Sequence, residues 1–219
     1  MIQFENLIKR YHKDGQDILA LNDFSLTINH GDFIAIQGSS GSGKTTLLLT
    51  AGGLLHPDNG NVMINDVNIY NLSVEKRALF RAQHIGFVFQ QYHLIPYLTV
   101  SENIRVPALA QKRKVPESKL KEVISILGLE SRVKHTPSEL SAGEKQRTAL
   151  ARALLFNPTI LLADEITGNL DDENVEIVMN CLADYNSSGG TILLVSHDNN
   201  LCKKADSIIC LKNGGKVIC

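Results

Sequence analysis

Eight residues constrain this chain more than any others. Gly38-Ser39-Ser40-Gly41-Ser42-Gly43-Lys44-Thr45 fits G-x-x-x-x-G-K-[ST], and it falls between Phe33-Ile34-Ala35-Ile36-Gln37 and a leucine-rich stretch from Thr45 to Ala51. A short apolar run of this kind reads as a buried strand, and Leu47, Leu48 and Leu49 read as the packed residues of a helix. Strand, glycine-rich turn and helix in that order make a phosphate-binding loop. The glycines let the backbone wrap so that successive N–H groups face phosphate oxygens, and the helix N-terminus adds partial positive charge. Lys44 is then placed to reach the β- and γ-phosphates of a nucleotide, and the Thr45 hydroxyl to bind Mg²⁺.

The rest of the chain agrees with an α/β fold. His84 to Phe89, Thr159 to Ala163 and Thr191 to Val195 are further apolar strand runs, separated by helical stretches. Near-continuous apolar strands of this kind imply a mainly parallel sheet covered on both faces. Phe24, Leu26 and Ile28 alternate instead, which predicts antiparallel strands with one wet face. Between Pro96 and Phe156 no strand is apparent, and the segments 99–111, 117–127 and 141–156 read as helices. We therefore expect one domain over 1–219. Residues 1–90 and 157–219 would form the core with its antiparallel subdomain, and 91–156 an inserted helical subdomain. At 219 residues and 43% hydrophobic, such a core needs no staples.

Charge and cysteine usage exclude several classes. The balance of 22 basic and 23 acidic residues, a net charge of −1, argues against a dedicated nucleic-acid binder. No apolar run reaches the roughly 18 residues that a span needs, and the N-terminus has no signal core. Cys181, Cys202, Cys210 and Cys219 form no C-x-x-C pair and have no histidine at ligand spacing, so zinc is not expected. Reduced thiols in a cytosolic protein are the expectation.

Two further segments carry chemistry. Ile160-Leu161-Leu162-Ala163-Asp164-Glu165 is a buried strand ending in paired acids, and strand ends of an open α/β sheet face the ligand crevice. Acids there can simply cap a helix. Beside a phosphate loop, Asp164 is placed to hold Mg²⁺ and Glu165 to orient or deprotonate an attacking water. In Leu140-Ser141-Ala142-Gly143-Glu144-Lys145-Gln146-Arg147, Ser141 and Glu144 form a capping box that starts a helix with Ala149, Leu150, Ala153 and Leu154 on its buried face. A serine hydroxyl and a glycine at an exposed helix N-terminus also offer a phosphate surface. A second cradle about a hundred residues from the first is best explained if it serves a nucleotide held by another copy.

Six ordered stretches together resemble the ATP-binding-cassette (ABC) ATPases. GSSGSGKTT, ending at Thr46, resembles their Walker A motif, FVFQ ending at Gln90 the Q-loop, LSAGEKQR the signature, and ILLADE Walker B. Gly168-Asn169-Leu170-Asp171 resembles the D-loop and Val195-Ser196-His197-Asp198 the switch histidine. Tyr11 sits where that family stacks an aromatic on adenine. The resemblance implies a RecA-like P-loop NTPase core, an antiparallel β-subdomain, a helical subdomain, and a head-to-tail dimer with two ATP at the interface. It also implies Thr45, Gln90 and Asp164 around Mg²⁺, and Glu165, His197, Gln90 and Lys44 in hydrolysis. Ser141 and Gly143 of an opposing copy would close over the γ-phosphate, and Asp171 would touch the facing loop.

HIGFVFQQYHLIPYLTVSEN and DEITGNLD narrow the resemblance to the lipoprotein-releasing, macrolide-export and division-associated group. Ala142 stands where glycine is usual, Ile166 where proline is usual, and His84 where arginine is common. Ala142 adds a methyl beside the phosphate-facing turn, a change that can weaken the sandwich without abolishing it, and Ile166 is expected to loosen the turn after Glu165. The implied function is an ATP-binding and ATP-hydrolysing subunit that powers separate transmembrane permease subunits, for export, lipoprotein release or mechanotransmission. It would sit on the cytoplasmic face of the membrane through that permease. Leu94 to Tyr97 would either dock the permease or fill the insertion's own core. The alternatives are a soluble, non-transport ABC ATPase and a small-molecule P-loop kinase, against which LSAGEKQR argues. Ser196-His197-Asp198 is no hydrolase triad, because adjacent residues cannot converge as triad members must.

Overall fold

In the computed structural model of the chain, residues 1–13, 15–168 and 170–217 are described. The first half runs β1 (Ile2–Lys13), β2 (Gln16–Ile28), β3 (Phe33–Gln37), α1 (Lys44–Ala51), β4 (Asn59–Ile64), β5 (Val67–Asn68), α2 (Val74–His84) and β6 (Ile85–Val88). Four helices follow, α3 (Val100–Arg105), α4 (Pro107–Gln111), α5 (Glu117–Ile126) and α6 (Ala142–Leu154). The chain then continues through β7 (Ile160–Asp164), α7 (Asp172–Ser187), β8 (Thr191–Val195), α8 (Asn199–Cys202), β9 (Ser207–Lys212) and β10 (Gly215–Val217).

The strands of the described residues divide into two sheets. One has the order β2-β1-β4-β5 and is antiparallel throughout; the other has the order β10-β9-β3-β8-β7-β6. In the second sheet β9, β3, β8, β7 and β6 are parallel, and β10 returns antiparallel on β9. The architecture is the expected α/β core with an antiparallel second sheet and a helical block.

Strand composition follows from what each face touches. Leu161 and Ala163 of β7, with Ile192 and Leu194 of β8, enter one core together with α3, α5, α6 and α7. Their neighbours Ile160, Leu162, Leu193 and Val195 enter a second core under α1 and the antiparallel sheet, which contributes Phe4, Phe24 and Val62. Successive side chains of a strand point to opposite faces, so a strand buried on both sides must be apolar at every position. In β2, by contrast, Phe24 and Ile28 are buried while Asp23, Ser25 and Thr27 face water.

Two local readings need correction. The helix expected over 99–111 is split in two, because Pro107 has no N–H to continue the first piece and instead opens α4. The cysteines are also not all reduced. Cys181 and Cys202 are free and buried, but Cys210 is disulfide-bonded. It lies on β9 opposite Val217 of β10.

Candidate functional site

The phosphate loop joins β3 to α1. Gly43 caps the helix at φ 105°, in the left-handed region, and a side chain there would collide with the Ala20 carbonyl. Lys44 is buried, and its Nζ donates to the carbonyls of Gly38 at 2.8 Å and Ser39 at 3.0 Å. The loop thus wraps around its own lysine. Ser42 N–H donates to Ser39 O at 3.1 Å and tightens the turn.

Sheet order brings the other groups to this loop. Asp164 at the end of β7 pairs with Val195 at the end of β8, and Ala163 pairs with Val88 at the end of β6. Gln90, Glu165 and His197 therefore emerge side by side from three adjacent strand ends, as ligand-facing groups of an open parallel sheet should. Thr45 Oγ1 donates to Asp164 Oδ2 at 3.1 Å. Burial pushes the Asp164 carboxyl above its ordinary range, with the Thr45 hydrogen bond opposing the shift. Glu165 accepts from Gln90 Nε2 at 3.3 Å, and its other oxygen lies 3.3 Å from His197 Nδ1.

Glu165 is also a non-glycine residue at φ 47°, held there by its N–H bond to Val195 O at 2.9 Å. Such backbone persists only where its surroundings over-determine it. The next residue, Ile166, is 2% exposed and packs into the core.

These groups line a cavity of about 640 Å³ together with Gly38, Ser40, Gly41, Gly43 and Thr46. At its mouth lie Tyr11 and Ile18, cross-strand partners in the β1–β2 ribbon that are 40% and 47% exposed. Tyr11 Oη is 3.3 Å from Thr46 Oγ1. An apolar pair exposed beside a phosphate loop is a flat surface for a ring. Ile18 was not legible from sequence, since only its register opposite Tyr11 reveals it.

The second predicted cradle lies elsewhere. Neither Ser141, Ala142, Gly143 and Glu144 nor Asp171 lines the cavity. The capping box is present: Ser141 Oγ accepts from Glu144 N–H at 3.2 Å, and Glu144 Oε2 accepts from Ser141 N–H at 2.8 Å. Burial tends to raise the Glu144 carboxyl, yet the Ser141 N–H and the Arg132 guanidinium at 2.6 Å hold it below its usual range. Ser141 and Ala142 are exposed. Gly143 is not, which corrects the expectation of an exposed glycine: the Asn174 side chain lies over it, and a Cβ there would collide with that amide.

Asn174 also donates both its N–H, at 2.9 Å, and its side-chain amide, at 2.7 Å, to Asp171, the cap of α7. The backbone bond, then the side-chain one, lowers the Asp171 carboxyl. Asn174 thus ties Gly143 to Asp171, and a cap with an amide three residues on was the available signal. Of the predicted D-loop, Asn169 lies outside the described residues.

The family pattern described as ABC transporter matches residues 21–168. The chain belongs to the ABC transporter family. Within it, this ATPase cassette is 39% identical over 216 residues to the macrolide export ATP-binding/permease protein MacB of Pasteurella multocida. It is 38% identical over 216 residues to the probable syringafactin export ATP-binding/permease protein SyfD of Pseudomonas syringae. Each alignment covers 98% of the cassette and 33% of the relative, so the chain spans about a third of the length of these curated relatives.

Among solved structures, a dimeric post-hydrolysis state of the ATP-binding cassette MJ0796 bound to ADP and Pi superposes with a TM-score of 0.94 at 37% identity. A second dimeric structure of MJ0796, described as a bacterial ABC transporter cassette, gives 0.93 at 38%. Both cover 100% of this chain and 97% of theirs. Among the described residues, no helix is long and apolar enough to cross a membrane.

Proposed function

We propose that the cassette binds ATP in the cavity at the tip of β3 and hydrolyses it within a head-to-tail dimer, so driving a permease. One observation carries the reading. Lys44, Thr45, Gln90, Asp164, Glu165 and His197 share a single cavity, while the Ser141 turn stays outside it, available to a second copy.

In this reading the loop amides and Lys44 hold the phosphates, and Tyr11 with Ile18 holds the base. Thr45 and Asp164 offer hard oxygen donors 3.1 Å apart, which suits Mg²⁺, an ion that takes one or two protein oxygens beside phosphate and water. Gln90 would approach the same ion. Mg²⁺ would supply charge neutralisation on the phosphates. Glu165 holds the attacking water and receives its proton, with Gln90 and His197 fixing the carboxylate, and His197 turns to the γ-phosphate when nucleotide fills the cavity. Phosphoryl transfer is governed by positioning and charge, so these contacts supply most of the catalysis.

The relatives' names join a cassette to a permease, which supports export-type work and a place on the membrane's inner face through that permease. We assign the docking surface to the helical block over 91–156, near Gln91 to Tyr97. Tyr97 is 79% exposed, whereas Leu94 packs on the core. A groove of about 420 Å³ lined by Phe89, His93, Val106 and Arg152 lies beside it, fit for a short cytoplasmic helix.

Gel filtration tests the proposal. Glu165→Gln with ATP and Mg²⁺ should elute as a dimer that ADP does not support, and its hydrolysis rate should fall by at least about a hundredfold. Parental hydrolysis in that variant would remove Glu165 from the mechanism.

A further inference from the structure

The turn that would meet the second copy's phosphate carries an acid. Glu144 lies three residues after Ser141, in the first turn of α6, and its side chain is 15% exposed. A carboxylate this close to a triphosphate repels it, and more strongly once an interface excludes water. The acid is nonetheless needed locally, since its Oε2 accepts the Ser141 N–H and completes the cap.

Arg132 resolves the conflict. Its Nε donates to the other carboxylate oxygen, Glu144 Oε1, at 2.6 Å. The guanidinium comes from a short 3₁₀ turn, Glu130–Arg132, outside α6. Arg132 N–H donates to Leu129 O, and Arg132 O accepts from His135 N–H, each at 2.9 Å. The same segment is fastened to α3 by Val100 N–H on His135 O at 2.8 Å and Ser101 N–H on Val133 O at 3.1 Å. The backbone that carries Arg132 is anchored on both sides, and its guanidinium meets Glu144 within the single chain.

Resting on the dimer reading above, we infer that Arg132 is a positioning residue of the nucleotide sandwich. It cancels the Glu144 charge and locks that carboxylate onto the Ser141 amide. The turn then presents a hydroxyl and helix-terminal amides to the opposing copy's γ-phosphate without a net negative charge. Arg132 itself touches no nucleotide.

The test is the ATP concentration for half-maximal dimerisation in a Glu165→Gln background, read by light scattering. Arg132→Ala and Arg132→Gln should each raise it about tenfold, and Arg132→Lys, which keeps the charge, less than about threefold. When Glu144→Gln is added to that background, no charge needs cancelling, and Arg132→Ala should change it less than about twofold. ADP binding by each monomer, which uses only the chain's own phosphate loop, reports that the variants fold. Dimerisation of Arg132→Gln at the parental ATP concentration would overturn the inference alone. So would an equal penalty for Arg132→Ala with and without the Glu144→Gln substitution, because charge would then play no part. A Glu165→Gln protein that stays monomeric at saturating ATP would overturn the dimer reading and this inference with it.

Discussion

Lys44 shows how one side chain can serve a loop both with and without its ligand. Its ammonium is spent on two carbonyls of its own loop, Gly38 and Ser39, which offset the burial of a charge. Nucleotide phosphates offer the same ammonium stronger, anionic acceptors, so binding exchanges hydrogen bonds from a cation to neutral carbonyls for ion pairs. Lys44→Ala removes that exchange and leaves the two carbonyls without their donor. Labelled ATP should bind this variant at least about a hundredfold more weakly, two charge-assisted contacts at roughly tenfold each. Unchanged binding would refute the assignment of this loop. Glu165 makes the complementary case, since its left-handed backbone aims the carboxylate at Gln90 and His197 rather than into solvent. Both residues were legible in sequence because their roles follow from neighbours in the chain. Arg132, Asn174 and Ile18 were not, because each acts on a residue that only folding brings near.

At the scale of elements, legibility tracked burial. Strands β3, β7 and β8 are buried along nearly their whole length, so their sequences are unmistakable, whereas β4, β9 and the two-residue β5 are half exposed and leave no such run. The segment between Gln90 and α3 is organised by a residue the pattern did not single out. Asn103 is fully buried, accepts from Ile95 N–H at 2.7 Å, and donates to the carbonyls of Ile95, Leu98 and Thr99. Asn103→Ala would strand these buried backbone groups and should cost about 2–3 kcal/mol in urea unfolding. Helix α7 carries a pH signature. Burial pushes the Cys181 thiol up to about 12 from 9.0. The folded chain therefore keeps this proton where the unfolded chain loses it, so its contribution is full below pH 9 and is lost as pH rises towards 12. Cys202 and the half-buried Tyr70 and Tyr185 shift in the same direction, so only a difference isolates one group. Between about pH 7 and pH 10 the urea midpoint should fall less in Cys181→Ala than in the parent.

At the scale of the molecule, the proposed function requires that one chain carry two halves of a site that it does not bring together. The phosphate loop and the Glu165 group share a cavity, and the Ser141 turn lies outside it. A head-to-tail dimer with two-fold symmetry would pair each loop with the other copy's turn, giving two composite sites. This predicts complementation between two inactive proteins. Lys44→Ala lacks the loop in both of its sites. Ser141→Arg lacks the turn in both, because a bulky cation-bearing chain blocks it. In a mixed dimer the two defects fall in the same composite site, and the other site combines an intact Ser141 turn with an intact Lys44 loop. An equimolar mixture should therefore recover ATPase activity to roughly a quarter of the parental rate, half of random dimers being mixed with one working site each. Each protein alone should stay near zero at any concentration. Both variants in the same polypeptide, mixed with the parent, give the control. That mixed dimer places one defect in each site and should contribute nothing beyond the parental homodimers. An inactive mixture of the two single variants would show that the sites do not form between copies in this orientation, or that one site cannot turn over unless its twin is also intact.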